Sequence, residues 1–459
     1  MSGDLGERAV VLGGSIAGLL AARVLSDSYG NVVVVDRDKV LGVRVTRRGA
    51  PHTVHAHGLH ARGHLIMEKL FPGFTDELSA AGVPTGDLGE MRWYFNARRL
   101  QPAHTGLVSV TAPRPVLENH VRERVAALPN VTIMEECDVE GLVTNATHGR
   151  VVGVRIRPRA EGAGEELLDA DLVVDATGRG SRTPAWLTEL GYDRPPEEKV
   201  KVGLAYTTRH YRTKPEWFDG VQSINPVASP AHPRGAFFGQ VGRDMCILSL
   251  TGVLGDYPPT EDEAFLDFVR SLPVPDVYQA VRDAEPLDEA VSFRFPASVR
   301  RRYERLTRLP DRLLVIGDAV CSFNPVYGQG MSVAALEAMT LRDHLRRGTP
   351  SPGPFLADIA KVIDVPWEIS AGGDLDFPGV EGRRTLKVKV GNAYMARLQY
   401  AATKDPKVTE GFMRVAGLVD PPEALMRPAM LARVLRHAIL RPPAGPSWLG
   451  DEQLAGTAS

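Results

Sequence analysis

The chain has 459 residues, 43% of them hydrophobic, and a formal net charge of -2. That length and hydrophobic share support a large core divided between two or three lobes, and the near-neutral charge offers no electrostatic footprint for nucleic acid or an anionic membrane. No apolar run is long enough to span a bilayer, and Cys137, Cys246 and Cys321, odd in number and widely spaced, argue against a disulfide framework and suit a reducing cytoplasm.

The first eight residues are polar and lead directly into a strand, which reads against a secretory signal. Ala9-Val10-Val11-Leu12 is a short apolar strand, a glycine-rich turn follows from Gly13 to Gly18, and Leu19 to Ser28 continues as a helix. Val32 to Val35 then forms a second strand that ends on Asp36, completing a βαβ unit. Gly13 makes the tight turn, Gly18 permits close packing of helix on strand, and Asp36 is placed for an adenosine ribose hydroxyl. Ser15 stands where the G-x-G-x-x-G pattern has its second glycine, and Ala17 completes the turn; a serine still offers its N–H and hydroxyl to a phosphate.

Further along, Leu172-Val173-Val174 reads as another buried strand, running into Asp175-Ala176-Thr177-Gly178-Arg179-Gly180-Ser181. Alternation from Lys199 to Arg212, with Val200, Val202, Leu204 and Tyr206 on one face, predicts a half-buried strand. Ala236 to Phe238, Met245 to Thr251 and Val291 to Val299 add strands to an antiparallel substrate sheet, for which the Pro-, Gly- and Ser-rich segment from Trp217 to Pro233 is the expected lid. Leu313 to Ile316 is a last buried strand; it runs into Gly317-Asp318, and Asp318 falls at a strand's carboxyl end, where open α/β sheets bind ligands.

The segment Asn324-Pro325-Val326-Tyr327-Gly328-Gln329-Gly330-Met331 follows. Pro325 stops regular structure, Gly328 and Gly330 let backbone approach a flat ligand, and Met331 to Arg347 reads as a helix whose N-terminus favours the negative edge of a reduced flavin. With the N-terminal turn, this points to FAD. After residue 350 the chain reads mainly as helices, including Arg383 to Thr403 and Pro421 to Leu440, before a short tail from Gly450.

These motifs resemble those of the single-component (group A) FAD-dependent monooxygenases, and most closely the bacterial epoxidases that oxidise polyene polyketides in polyether biosynthesis. The resemblance runs through Val11 to Leu20, Asp36-Arg37-Asp38, Arg48-Gly49-Ala50-Pro51 with His55 and His57, Arg114, Asp171 to Gly180, and Phe323 to Ser332, the most specific match. It implies that Asp36 holds the ribose, that Arg37 and Arg48 join it in binding cofactor, and that Arg114 reaches the ribitol-pyrophosphate region. Gly317 and Asp318 would bind the pyrophosphate-ribitol side, and Pro325, Gly328, Gln329, Gly330 and Met331 would line the isoalloxazine. The implied fold is α/β: a discontinuous Rossmann-like FAD domain of the glutathione-reductase type, an antiparallel β substrate domain and a C-terminal helical region. The expected division is 1–90, 113–190 and 300–349 for FAD, 91–112 and 191–299 for substrate, and 350–459 for the helices.

Two departures stand out. Many relatives have Gln where this chain has His52, and the run Asp175 to Ser181 differs from the Asp-Gly pattern of aromatic hydroxylases, which favours the epoxidase branch. Histidines at 52, 55, 57, 60 and 64 suggest a metal, but no acid or cysteine joins them and none is assigned. Arg300-Arg301-Arg302, with Arg305 and Arg308, reads as a solvated charged face.

The implied chemistry is the cofactor's. NADPH or NADH, directly or through a partner flavin reductase, reduces FAD; molecular oxygen adds to form a C4a-hydroperoxyflavin; and an apolar polyene or polyketide is epoxidised. No acid or base is assigned. The alternative is hydroxylation of an aromatic secondary metabolite; a halogenase, lacking a Trp-x-Trp-x-Ile-Pro segment, and a saturase or reductase are weaker readings.

Overall fold

The computed structural model describes residues 5–439; the polar start through Asp4, the last predicted helical residue Leu440 and the tail from Gly450 lie outside them. Four apolar runs, within Gly6–Leu12, Tyr29–Val35, Leu172–Asp175 and Leu313–Val315, are almost wholly inaccessible to solvent. Runs without polar alternation suit a sheet covered on both faces, and they pair in parallel. With Val131–Met134 they form a five-stranded sheet in the order Leu313–Val315, Leu172–Asp175, Gly6–Leu12, Tyr29–Val35, Val131–Met134. Val10 lies opposite Val173 on one side and Val33 on the other. The helix between the first two strands spans Ile16–Leu25, starting and ending three residues earlier than predicted, and Gly330–Leu345 packs against it.

A second, seven-stranded sheet runs in the order Val291–Phe295, Leu204–Arg212, Met245–Gly252, Arg234–Gln240, Ser223–Val227, Arg92–Phe95, Arg98–Arg99. It is not purely antiparallel, because Ser223–Val227 pairs in parallel with Arg92–Phe95. The strand predicted from Lys199 to Arg212 is two strands in different sheets: Glu197–Val200 pairs with Ser298–Arg301, and the chain re-enters the large sheet at Leu204. Gly203, at φ +56, makes the break, and its N–H donates to Pro296 O, where Val291 to Val299 divides in the same way.

The lid expected at Trp217 to Pro233 is also corrected. Ser223–Val227 within it is a strand of the large sheet, with Phe218, Ser223 and Ile224 fully buried. Pairing of this strand with Arg234–Gln240 covers only Ser223 and Ile224, so Pro226 falls where one side of the strand has left the ladder. One face of this sheet packs on helices Asp262–Arg270 and Asp276–Val281. The other turns toward the parallel sheet: the N–H of Ala56 donates to Ser249 Oγ and His55 Nδ1 meets Thr208 Oγ1. The C-terminal region holds helices Pro352–Asp374, Leu386–Ala402, Pro406–Ala416 and Pro428–Ala438. The helix predicted from Pro421 is split, Pro422–Met426 being a separate turn before Pro428.

Candidate cofactor site

Three turns meet at the carboxyl end of the parallel sheet. Gly13 has φ +100, and a Cβ there would lie 2.6 Å from Ala176 O. A Cβ on Gly18 would fall onto the carbonyl oxygen of Gly13, so only glycine lets this helix sit so close to its strand. Gly317, at φ +65, faces Ala17, and Gly178 faces Asp318. These are backbone cradles of the kind a dinucleotide phosphate needs.

Asp36 ends the second strand and is buried. Its carboxylate accepts the N–H of Gly14 at 2.7 Å and that of Asp38 at 2.9 Å. Arg47 lies 3.3 Å from both Asp36 and Asp38, donates to Ser15 Oγ at 2.5 Å and reaches Glu118 at 2.6 Å. Arg122, at 2.6 Å, and Arg114, at 3.5 Å, meet the same Glu118, whose carboxyl stays below the usual carboxylate range because three guanidiniums outweigh its burial. Arg47, Glu118 and Arg122 were not singled out from sequence; the signal was the Glu118/Arg122 pair four apart on helix Arg114–Ala126. Arg37 and Arg48 are exposed, on the rim of a cavity of about 470 Å³ that Asp38, Asp138 and Arg159 also line.

Asp318 is open to solvent yet closely surrounded, as a carboxylate in the wall of a cleft is. Burial pushes its carboxyl up, opposed by Arg179, Arg114 and Arg301. The arginine run is a solvated face only at Arg305 and Arg308. Arg300 is buried and donates to Ala360 O and Asp364, while Arg301 donates to the carbonyls of Asp318, Ala319 and Arg179, joining two turns of the cleft. Asp175 is wholly buried and accepts from Thr177, Ser181 and Thr183, so it builds its turn and does not face the cleft.

The downstream loop forms the far wall. Asn324 Oδ1 accepts from the Val326 N–H and starts the short turn Pro325–Tyr327, which Gly328 closes at φ +64. A Cβ on Gly328 would collide with the His60 ring, whereas one on Gly330 would meet open space. Pro325 and Gly330 are exposed, but Gln329 and Met331 are buried, which removes the Gln329 side chain from the cleft surface. Helix Gly330–Leu345 begins at Gln329 without a side-chain cap, leaving its first N–H groups available to an anion.

Glu337 on this helix is fully buried and accepts the Gly317 N–H at 2.6 Å. Burial and the charge of Asp318 push it up to about 8. Its folded value exceeds the ordinary 4.5, so the folded protein holds a proton that the unfolded chain releases, and stability falls as pH rises from about 4.5 to about 8. Glu337→Gln is therefore expected to gain in melting temperature relative to the parent as pH rises through that window. Melts near its two ends check this, and a constant difference would show that Glu337 does not titrate there.

The histidines do not converge on a metal; among the described residues no group of three or more His, Cys, Asp or Glu could hold one. His55 bonds Thr208, His64 bonds Thr75, and His60 lies under Gly328. His57 Nδ1 is 2.8 Å from His55 O and so carries the proton of the neutral ring, leaving Nε2 an acceptor. His52 is open to solvent yet closely surrounded, and that crowding together with nearby Arg114 pushes it down to about 4. His55 stacks on Tyr206 at 5.5 Å and lies 5.7 Å from Phe293, giving the sheet side an aromatic wall.

Residues 7–347 match the family model described as FAD binding domain. A protein of Mycobacterium tuberculosis (strain ATCC 25618 / H37Rv), Protein Rv3254, is 35% identical over 462 aligned positions, covering 95% of each chain. Two solved structures share the fold. A probable FAD-dependent monooxygenase from Pseudomonas aeruginosa, pqsL, superposes with a TM-score of 0.59 at 18% identity, covering 88% of this chain and 98% of the other. The p-nitrophenol 4-monooxygenase PnpA from Pseudomonas putida DLL-E4 does so with a TM-score of 0.60 at 16% identity, covering 91% and 99%.

Proposed function

The chain belongs to the FAD-binding domain family, and from that premise we propose that it is an FAD-dependent monooxygenase acting on a large, mainly apolar small molecule. FAD, once reduced by NADPH or NADH, directly or through a flavin reductase, supplies the activation of molecular oxygen. The protein supplies place and shelter. Gly13, Ser15, Ala17, Gly18 and Asp36 would hold the dinucleotide, Arg114 and Asp318 its middle, and Pro325, Gly328, Gly330 and Met331 the flavin. The meeting of the Gly13, Gly178 and Gly317 turns at the carboxyl end of the parallel sheet carries the reading, and the packed rings of His55, Tyr206 and Phe293 suit the exclusion of water that oxygen transfer needs.

The substrate reading retained from sequence is epoxidation of a polyene or polyketide, which needs no base. A second reading, hydroxylation of an aromatic ring, gains from the buried carboxylate of Asp374 beside Tyr327 and near Tyr206, since phenol activation uses a proton acceptor. One similar fold, PnpA, is by its name a p-nitrophenol 4-monooxygenase. The test incubates enzyme, FAD and NAD(P)H with a polyene and separately with phenolic polyketides, following oxygen uptake and product mass. Oxygen in the polyene product supports epoxidation; oxygen only in the phenols selects hydroxylation; reductant consumed with no oxygenated product from any substrate argues against a monooxygenase.

A further inference from the structure

The large sheet turns one face toward the parallel sheet, and strand register fixes which side chains stand there. Residues two apart on a strand share a face. Thr208 meets Ser249 and His55, so Tyr206 stands on that same face, with Phe293 opposite it on the next strand. Tyr211, Leu248 and Leu250 stand on the other face, in the core formed with the two helices. At the first face two buried polar atoms have no hydrogen-bond partner among the described residues, the Tyr206 hydroxyl and His55 Nε2. A buried donor left unpaired is costly, and native proteins keep few of them.

What His55 presents follows from a chain of hydrogen bonds behind it. The Ala56 N–H donates to Ser249 Oγ at 3.0 Å, Ser249 Oγ lies 2.5 Å from Thr208 Oγ1, and Thr208 Oγ1 lies 2.8 Å from His55 Nδ1. With Ser249 donating to Thr208 and Thr208 to His55, both hydroxyl hydrogens are used. The reverse direction leaves the Ser249 hydrogen without an acceptor among the described residues. Nδ1 is therefore the acceptor. Burial pushes His55 down to about 4, so the ring is neutral and carries its one proton on Nε2. Nε2 lies across the ring from Nδ1 and so points away from the strand that holds Thr208. The Tyr206 ring stacks on His55 at 5.5 Å, and its hydroxyl feels the charge of Asp374, which accepts from Asn324 at the start of the flavin loop. Burial pushes that hydroxyl up, and it keeps its proton.

Two donors on stacked rings thus lie at the inner face of the sheet, and no acceptor among the described residues receives either. We infer that Tyr206 and His55 bind an oxygen of the substrate, so that the enzyme selects an apolar molecule bearing a carbonyl or hydroxyl oxygen over a bare hydrocarbon polyene. Thr208, itself set by Ser249, is a positioning residue that fixes the His55 ring. A hydrocarbon in the same place would leave both donors unpaired, which is how a site built to bond an oxygen rejects the analogue that lacks it. The inference rests on the reading of this sheet as the substrate side of an FAD-dependent monooxygenase, and adds to it a polar anchor.

The test measures binding of benzophenone and diphenylmethane to the FAD-loaded protein by equilibrium dialysis, which needs neither reductant nor turnover. The two probes have the same rings and differ in a carbonyl oxygen. The parent is expected to bind benzophenone roughly ten-fold or more tighter than diphenylmethane. Tyr206→Phe should lose most of that preference while binding diphenylmethane like the parent. Thr208→Val should weaken benzophenone alone, and Thr208→Ser should restore it. Nuclear magnetic resonance of protein with isotope-labelled histidine should find the His55 proton on Nε2. A parent that binds benzophenone no tighter than diphenylmethane, binding of neither included, would overturn the inference. So would a Tyr206→Phe protein with the parent's preference, a Thr208→Val protein that weakens both probes alike, or a His55 proton on Nδ1. If Thr208→Val does not fold, the parent and Tyr206→Phe decide. Oxygenation assays on the same protein separate the two readings. Preference for benzophenone with no oxygenated product from any substrate counts against the monooxygenase, and oxygenated product without that preference counts against the anchor alone.

Discussion

Asp36→Ala is expected to fold and to bind FAD about ten-fold to a hundred-fold more weakly, the loss of one charge-assisted hydrogen bond of roughly 1.5 to 3 kcal/mol. The fold should survive because Arg47, which Asp36 helps to hold, keeps Glu118 at 2.6 Å and Asp38 at 3.3 Å. The Gly14 N–H loses its acceptor, but it lies on a turn already set by Gly13 and Gly18. Titrating apoprotein with FAD and watching flavin fluorescence gives the affinity. FMN, which has no adenosine, serves as the control, since its binding should not respond to the substitution. Parent-like FAD affinity in Asp36→Ala would remove this residue from the site.

Gly328→Val should be the more damaging change. It forces a β-branched residue to φ +64 and drives its Cβ into the His60 ring. Left-handed backbone and overpacking together cost at least about 2 kcal/mol. The cost falls on the loop, not on the adenosine end, so oxygen uptake with substrate should drop further than FAD content. Gly330→Val is the informative partner. Its Cβ meets nothing in the protein, so any loss of turnover there reports on what occupies the cleft. Thermal melts, FAD content and oxygen uptake on both variants check the pair. Equal melting temperatures and unchanged turnover in Gly328→Val would show that the turn does not constrain the site.

Much of the site was legible because its signals are local. Four apolar runs ending on glycine or acid, at Gly13, Asp36, Asp175 and Gly317, declare buried parallel strands of the kind whose carboxyl ends bind ligand in open α/β sheets, and the motif spacing declares FAD without reference to the rest of the chain. The Gly328 turn was equally local, since Pro325 fixes its own φ and Gly328 is free to take the left-handed conformation that closes the turn. The errors arose where two distant segments compete for the same residues. Alternation continues through Gly203, yet the strand changes sheets there because Pro296 takes its N–H. Trp217 to Pro233 has the composition of a loop, and pairing with Arg92–Phe95 makes part of it a strand.

The sequence by itself determined the cofactor class, the parallel sheet and the glycine turns at its carboxyl end, because glycine conformation and unbroken apolar runs act over a few residues. Only the tertiary structure decided which charges matter. Arg47 with Glu118, Arg301 with Asp318, Glu337 with Gly317 and Asp374 with Asn324 lie 71, 17, 20 and 50 residues apart. The pairing and pKa of a charged group depend on what surrounds it in space, and burial far from its sequence neighbours is set only when the lobes close around it.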